Sequence, residues 1–212
     1  MTTLKISEIF GPTIQGEGST AGQFCCFLRL SGCNLKCGWC DTKYAAFGTF
    51  VETLEVLDRL FLLLPRRVVI TGGEPLLQQG YLQPVVTGLR EAGIIVDVET
   101  NGTIIPTLKG VCQYSVSPKL RNACKNGLYP GVLTYFATQT NCIFKFVCAS
   151  AADVRDVGGL GLENSKVWIM PEGVSVAALD RSLQAILPTA LEYGYNISDR
   201  LQIRLWGNKK GV

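Results

Sequence analysis

Residues 68–75 read Val68-Val69-Ile70-Thr71-Gly72-Gly73-Glu74-Pro75. A short β-branched run closed by two glycines is the pattern of a strand buried on both faces of a parallel sheet. An amphipathic segment follows at 82–92, stopped by Gly93, and a second apolar run at 94–99 is punctuated by Asn101-Gly102. Strand, helix and strand in that order make a parallel unit with its helix outside the sheet.

The same alternation extends both ways. Residues 4–9 and 24–30 read as strands, joined by a loop containing Gly11, Gly16, Gly18 and Gly22. Thr49 opens a helix with Glu52 three places on as a capping box, Leu54, Leu57, Leu60, Phe61 and Leu64 on its apolar face, and Pro65 as its stop. Further strands are expected at 113–116, 143–147, 167–170 and 201–205, and helices at 151–157 and 176–187. Residues 122–131 look irregular, and 206–212 have no period. With three or four convincing helices, an eight-fold closed barrel is excluded, and a single-domain α/β partial barrel over residues 1–212 is expected.

The 212 residues carry 17% charged and 47% hydrophobic side chains, which excludes a disordered chain. A net charge of +3 is too weak a field to suggest nucleic acid. The longest apolar run, 60–65, is too short to span a bilayer, and the first residues lack the pattern of a secretory signal. A cytoplasmic protein is expected. Histidine is absent, while nine cysteines are present. In a reducing compartment these are core filler, metal ligands or redox groups rather than disulfides.

Three of them fall within eight residues: Cys33-Asn34-Leu35-Lys36-Cys37-Gly38-Trp39-Cys40. Three thiolates suit a four-iron, four-sulfur cluster with one iron left open. A zinc site is the alternative, and with no histidine it would borrow Cys25, Cys26, Cys112, Cys124, Cys142 or Cys148. The spacing, with an aromatic residue before the last cysteine, resembles the radical S-adenosylmethionine superfamily. Thr71-Gly72-Gly73-Glu74-Pro75 resembles its segment for the cofactor's amino group.

Further stretches resemble the 7-carboxy-7-deazaguanine synthase family nearly end to end. They are Gln15-Gly16-Glu17-Gly18, Arg29-Leu30-Ser31-Gly32, Cys40-Asp41-Thr42, Glu99-Thr100-Asn101-Gly102, Ser117-Pro118-Lys119 and Leu205-Trp206-Gly207-Asn208. The resemblance implies a lyase of the queuosine pathway, converting 6-carboxy-5,6,7,8-tetrahydropterin to 7-carboxy-7-deazaguanine with loss of ammonia. The cofactor itself carries the hydrogen abstraction, and S-adenosylmethionine is regenerated. It implies a 4Fe-4S cluster on Cys33, Cys37 and Cys40, S-adenosylmethionine, and Mg2+ at Thr42. Substrate would meet Ile14, Gln15, Gly16, Glu17, Arg29, Thr71 and, through a terminal carboxylate, Val212. S-adenosylmethionine would meet Trp39, Cys40, Asp41, Gly73, Glu99, Asn101, Ser117, Pro118, Lys119, Met170, Pro171, Glu172 and Gly173. An electron donor such as flavodoxin or ferredoxin, and a homodimer, are implied as partners.

Some of these residues carry a plainer expectation beside the resemblance. Arg29 lies in an apolar strand and needs a carboxylate, which a structural Asp or Glu would supply as well as a substrate. Some family members carry Gln-Thr-His-Lys near the end of the chain; here the run is Gln202-Ile203-Arg204-Leu205, with Arg204 as the stand-in for that histidine. A glycyl-radical-activating enzyme shares the cysteine spacing and the Gly-Gly-Glu-Pro turn. A non-catalytic iron–sulfur or zinc protein leaves residues 71–75 unexplained.

Overall fold

The computed structural model describes residues 2–212. Its nine strands form one sheet: β1 (Thr3–Ile14), β2 (Phe24–Leu30), β3 (Thr49–Glu52), β4 (Arg67–Gly72), β5 (Ile95–Thr100), β6 (Gln113–Val116), β7 (Cys142–Cys148), β8 (Val167–Pro171) and β9 (Asn196–Ile197). The order is β3-β1-β2-β4-β5-β6-β7-β8-β9, so β3 and β9 are free edges and the barrel is open. From β2 to β9 every neighbour is parallel, while β1 runs antiparallel to both β2 and β3.

The two faces of the sheet differ sharply, as the period of two requires. Leu28, Ile70, Val98, Val116, Phe144 and Ile169 point to one face and join the main apolar core beneath the helices. These helices are α1 (Thr53–Phe61), α2 (Gln79–Glu91), α3 (Pro130–Ala137), α4 (Ala151–Gly158) and α5 (Val176–Glu192), with a short α6 (Leu201–Trp206) at the end. Positions between those apolar residues carry Arg29, Thr71, Glu99 and Lys145, so the concave face is polar toward the strands' C-terminal ends.

Several expectations are corrected. Residues 49–52 are not the start of a helix but strand β3, paired with β1, and α1 begins at Thr53 with no side-chain cap. Pairing with β1 satisfies the backbone that a capping box would have served. Of the expected apolar face, Leu60 is buried and Leu57 packs against the core, but Leu54 is 74% and Leu64 82% exposed, and Thr53 and Val56 are buried beside Leu60 instead. The capping box of this chain is instead at α4, between Ser150 and Asp153. Residues 201–205 form α6 rather than a strand. Leu-Gln-Ile-Arg-Leu alternates and also fits one helical turn, and Leu201 N–H is taken by the Gly16 carbonyl instead of a sheet neighbour. Helix α3 occupies part of the sequence after the irregular stretch, and α5 passes Pro188 because Ile186, Thr189 and Ala190 bury its face.

Candidate active site

The polar face closes around one cavity of about 810 Å³ at the C-terminal ends of the strands. Parallel sheets bind ligands there because the loops leaving the strands converge and helices carry the chain away. The cysteine loop, the Gly-Gly turn after β4, the β1–β2 loop, the turn after β8 and residues 208–212 all wall it.

The Gly-Gly turn fixes the cysteine loop by close approach. Gly72 sits at φ +147, and a Cβ there would lie 2.1 Å from the Leu30 carbonyl oxygen. A Cβ on Gly73 would lie 2.1 Å from the Gly32 carbonyl. Gly73 N–H donates to Leu30 and Glu74 N–H to Gly32, so the chain entering Cys33 is bonded along this turn.

Glu74 locks the arrangement from below. It is fully buried, and accepts from Leu76 N–H (2.9 Å), the Thr100 hydroxyl (2.9 Å) and Asn101 N–H (2.6 Å). Burial pushes its carboxyl up, and those three donors pull back. Asn101 in turn donates to Asn34 Oδ1 (2.9 Å) and Cys33 Sγ (3.8 Å). Glu74→Ala is expected to orphan these donors, at a cost of about 3 kcal/mol. That corresponds to a melting temperature about 6–12 °C lower, readable by calorimetry; an unchanged melting temperature would show that water replaces the carboxylate.

Cys33, Cys37 and Cys40 all line the cavity. Cys33 Sγ accepts from Leu35 N–H at 3.4 Å as well as from Asn101. Burial raises both the Cys33 and the Cys37 thiols. Among the described residues no three His, Cys, Asp or Glu side chains gather around a point that holds a single ion. Three thiols on one cavity wall, with amide donors facing the Cys33 sulfur, are a donor set that suits an iron–sulfur cluster. Of the other six cysteines, Cys25, Cys26, Cys142 and Cys148 are buried. Burial pushes the Cys25 thiol up to about 12, as suits a packed thiol rather than a ligand.

A charged network crosses the cavity floor. Lys145, 5% exposed, donates to Glu17 Oε2 at 2.6 Å and Glu99 Oε1 at 3.3 Å. Glu99 also accepts from Thr71 Oγ1 (2.9 Å) and Gln15 Nε2 (3.3 Å). Gln202 Nε2 donates to Glu17 Oε1 at 2.7 Å, and Arg200 Nε reaches the same oxygen at 3.1 Å. Burial alone would raise the Glu17 carboxyl, but Lys145 and Arg200 overcome it and hold it far below the usual carboxylate range. Glu17 is therefore an ionised acceptor in a largely dry place.

Arg29 has a protein partner. Its Nε donates to Glu8 Oε1 at 2.6 Å, across the β1–β2 pair, and Tyr44 hydroxyl shares that oxygen at 3.0 Å. The Arg29 Nη groups donate to no protein atom among the described residues, and Arg29 lines the cavity. Lys119 Nζ donates to Ser117 Oγ (2.8 Å) and lies 6.0 Å from the Trp39 ring centre, with no carboxylate partner among the described residues. Burial lowers it, opposed by neighbouring Cys37. Thr42 Oγ1 donates to Asp41 Oδ1 at 2.8 Å, leaving its lone pairs open.

Every residue expected to meet substrate lines this cavity: Ile14, Gln15, Gly16, Glu17, Arg29, Thr71 and Val212. So do Trp39, Asp41, Thr42, Gly73, Glu99, Asn101, Ser117, Lys119, Met170, Glu172 and Gly173. Pro118 and Pro171 do not; they are buried behind it and shape the backbone. Arg204 is corrected. It pairs with Asp180 and Asp199 outside the cavity, whereas Gln202 and Arg200 face in. The sequence reading missed Lys145, Arg200 and Gln202. An isolated lysine within the apolar run Cys142-Ile143-Phe144-Lys145-Phe146-Val147 was a signal that could have exposed the first.

The open parallel sheet, its three-cysteine loop and its Gly-Gly turn define a radical S-adenosylmethionine protein, and residues 28–119 match the radical SAM superfamily. The fold also matches the crystal structure of QueE from Escherichia coli, with a TM-score of 0.74 over 95% of each chain at 24% identity. The chain is 36% identical to the 7-carboxy-7-deazaguanine synthase of Pyrobaculum aerophilum, over 98% of this chain and 97% of that one. It is 35% identical to that of Rhodopirellula baltica, over 100% and 90%. The chain belongs to the 7-carboxy-7-deazaguanine synthase family.

Proposed function

We propose that this chain contracts the ring of 6-carboxy-5,6,7,8-tetrahydropterin to give 7-carboxy-7-deazaguanine and ammonia. The single observation that carries the site assignment is the shared cavity. The three thiols, the Gly-Gly turn, ionised Glu17 and the open arm of Arg29 all line it. A 4Fe-4S cluster on Cys33, Cys37 and Cys40, with S-adenosylmethionine, supplies a hydrogen-abstracting radical when bound.

The chain's own residues do the rest. Glu17, kept ionised by Lys145 and Arg200, and Glu99 beside it accept hydrogen bonds from the donor-rich N–H edge of the pterin. Arg29, its Nε held by Glu8, turns its Nη pair toward the substrate carboxylate. Lys119 offers an uncommitted cation to the carboxylate of S-adenosylmethionine, and Trp39 a ring face to its adenine. Thr42 offers a magnesium ligand, the remaining positions being filled by water and substrate oxygens. An external electron donor such as flavodoxin or ferredoxin, and a homodimeric assembly, complete the proposal. Among the described residues no helix is long and apolar enough to cross a membrane.

The test is anaerobic incubation of the reconstituted, reduced protein with the carboxytetrahydropterin, S-adenosylmethionine and magnesium. The deazapurine chromophore is expected; its absence, with cluster absorbance intact, would overturn the assignment.

Arg29→Lys keeps the charge and loses the planar fork. It is expected to lower kcat/KM by about 10–100-fold while S-adenosylmethionine affinity is unchanged. A lower melting temperature with undisturbed kcat/KM would reduce Arg29 to the partner of Glu8.

A further inference from the structure

Arg200 touches three walls of the cavity at once. Its Nε donates to Glu17 Oε1 at 3.1 Å, its Nη1 to the Gly173 carbonyl at 2.6 Å, and its Nη2 to the Asp41 carboxylate. These acceptors come from the β1–β2 loop, the turn after β8 and the cysteine loop, segments far apart in the chain. The side chain is 11% exposed. Its backbone is fixed as well: Arg200 N–H donates to Asp199 Oδ1 at 2.7 Å, and the next N–H, of Leu201, to the Gly16 carbonyl at 2.9 Å. Gly16 has no room for a side chain there, since a Cβ would lie 1.8 Å from Gln202 Oε1.

Arg200 shares the task of keeping Glu17 ionised with Lys145, which pairs with the other Glu17 oxygen at 2.6 Å. Arg200 adds a rigid link from Glu17 to Asp41 and Gly173. A guanidinium holds three acceptors in one plane, whereas an ammonium on a flexible stem does not fix three such directions.

We propose that Arg200 is a positioning residue that couples the two halves of the cavity, so that filling the S-adenosylmethionine end at Asp41 and Gly173 sets Glu17 for the pterin. The inference rests on the reading above, in which Glu17 meets the pterin while Asp41 and Gly173 meet S-adenosylmethionine. Coupling of this kind is reciprocal, so the pterin tightens S-adenosylmethionine by the same factor.

The measurement is calorimetric titration of S-adenosylmethionine into reconstituted protein with the cluster oxidised, which prevents turnover, in the presence and absence of the carboxytetrahydropterin. The wild type is expected to bind S-adenosylmethionine roughly 10-fold more tightly when the pterin is present. In Arg200→Lys that ratio is expected to fall below about 2-fold, with the affinity for S-adenosylmethionine alone changed far less. Arg204→Lys, in the helix that Arg200 precedes but outside the cavity, is expected to keep the wild-type ratio. Should Arg200→Lys fail to fold, Asp41→Asn weakens one arm only and is expected to lower the same ratio. An unchanged ratio in the folded variant, or no coupling in the wild type, overturns the inference and leaves the assigned reaction standing. A wild type that binds no S-adenosylmethionine removes the assigned reaction, and the inference with it.

Discussion

Cys37→Ala is expected to abolish the iron–sulfur absorbance and all turnover. Two thiolates cannot anchor a cluster that three hold with one iron open. Of the other six cysteines, four are buried and Cys112 is exposed away from the cavity, while Cys124 lies beside Cys37, so Cys37→Ala is made together with Cys124→Ala to remove that substitute thiol. Iron and sulfide analysis after anaerobic reconstitution, with optical spectra, reads the result. Cys148→Ala provides the contrast. That thiol is fully buried in the main core, and burial raises it far above the usual range. The variant is expected to keep cluster and activity, with only a packing loss. A Cys37→Ala protein that retains a full cluster would place the ligand elsewhere.

Lys145→Met is expected to have the largest effect outside the cysteine loop. Methionine fills similar space but leaves Glu99 with only its hydroxyl and amide donors, and Glu17 with Arg200 and Gln202. Breaking a buried pair from one side costs about 3–5 kcal/mol. For a chain of this size that is a fall of roughly 6–20 °C in melting temperature. Pterin affinity should drop with it, because Gln15, Thr71 and Glu17 all depend on this node. The pH dependence has a definite sign. Glu17 is depressed in the folded state, so its contribution is present in full above its ordinary value of 4.5 and is lost as pH falls below it. With Lys145 gone the depression is smaller. The stability deficit of the variant should therefore be greatest near neutral pH and narrow on acidification. A deficit that stays constant from pH 7 down to the acid transition would show that packing, not the ion pair, is what the substitution removes.

Local patterns carried much of this. The β-branched run before Gly72-Gly73 had to be a buried strand, because nothing polar in it could face water and two glycines permit the close approach to Leu30 and Gly32. The three cysteines within eight residues marked a loop at the cavity wall for a similar reason: the chain segment itself delivers all three thiols there. Short-range rules failed where a distant partner decided the outcome. Thr49 carried a helix-start signal and became a strand because β1 offered it hydrogen bonds from residues 3–6. Residues 201–205 alternate like a strand, but Leu201 N–H pairs with the Gly16 carbonyl rather than with a sheet edge, and the segment closes as a helix.

The sequence by itself determined the βα order, the cysteine loop, the Gly-Gly turn and the loop residues that wall the cavity, since each depends on backbone geometry within a few residues. Only the tertiary structure decided the charge network. Lys145 lies 128 residues from Glu17, and Arg200 lies 159 from Asp41. A buried cation must find its carboxylate through space, and a polar residue in an apolar run says that a partner exists without saying which one. The sheet supplies the answer by setting strand ends side by side, placing Lys145 against Glu17 and Glu99, and turning Gln202 and Arg200 inward while Arg204 pairs with Asp180 and Asp199 outside the cavity.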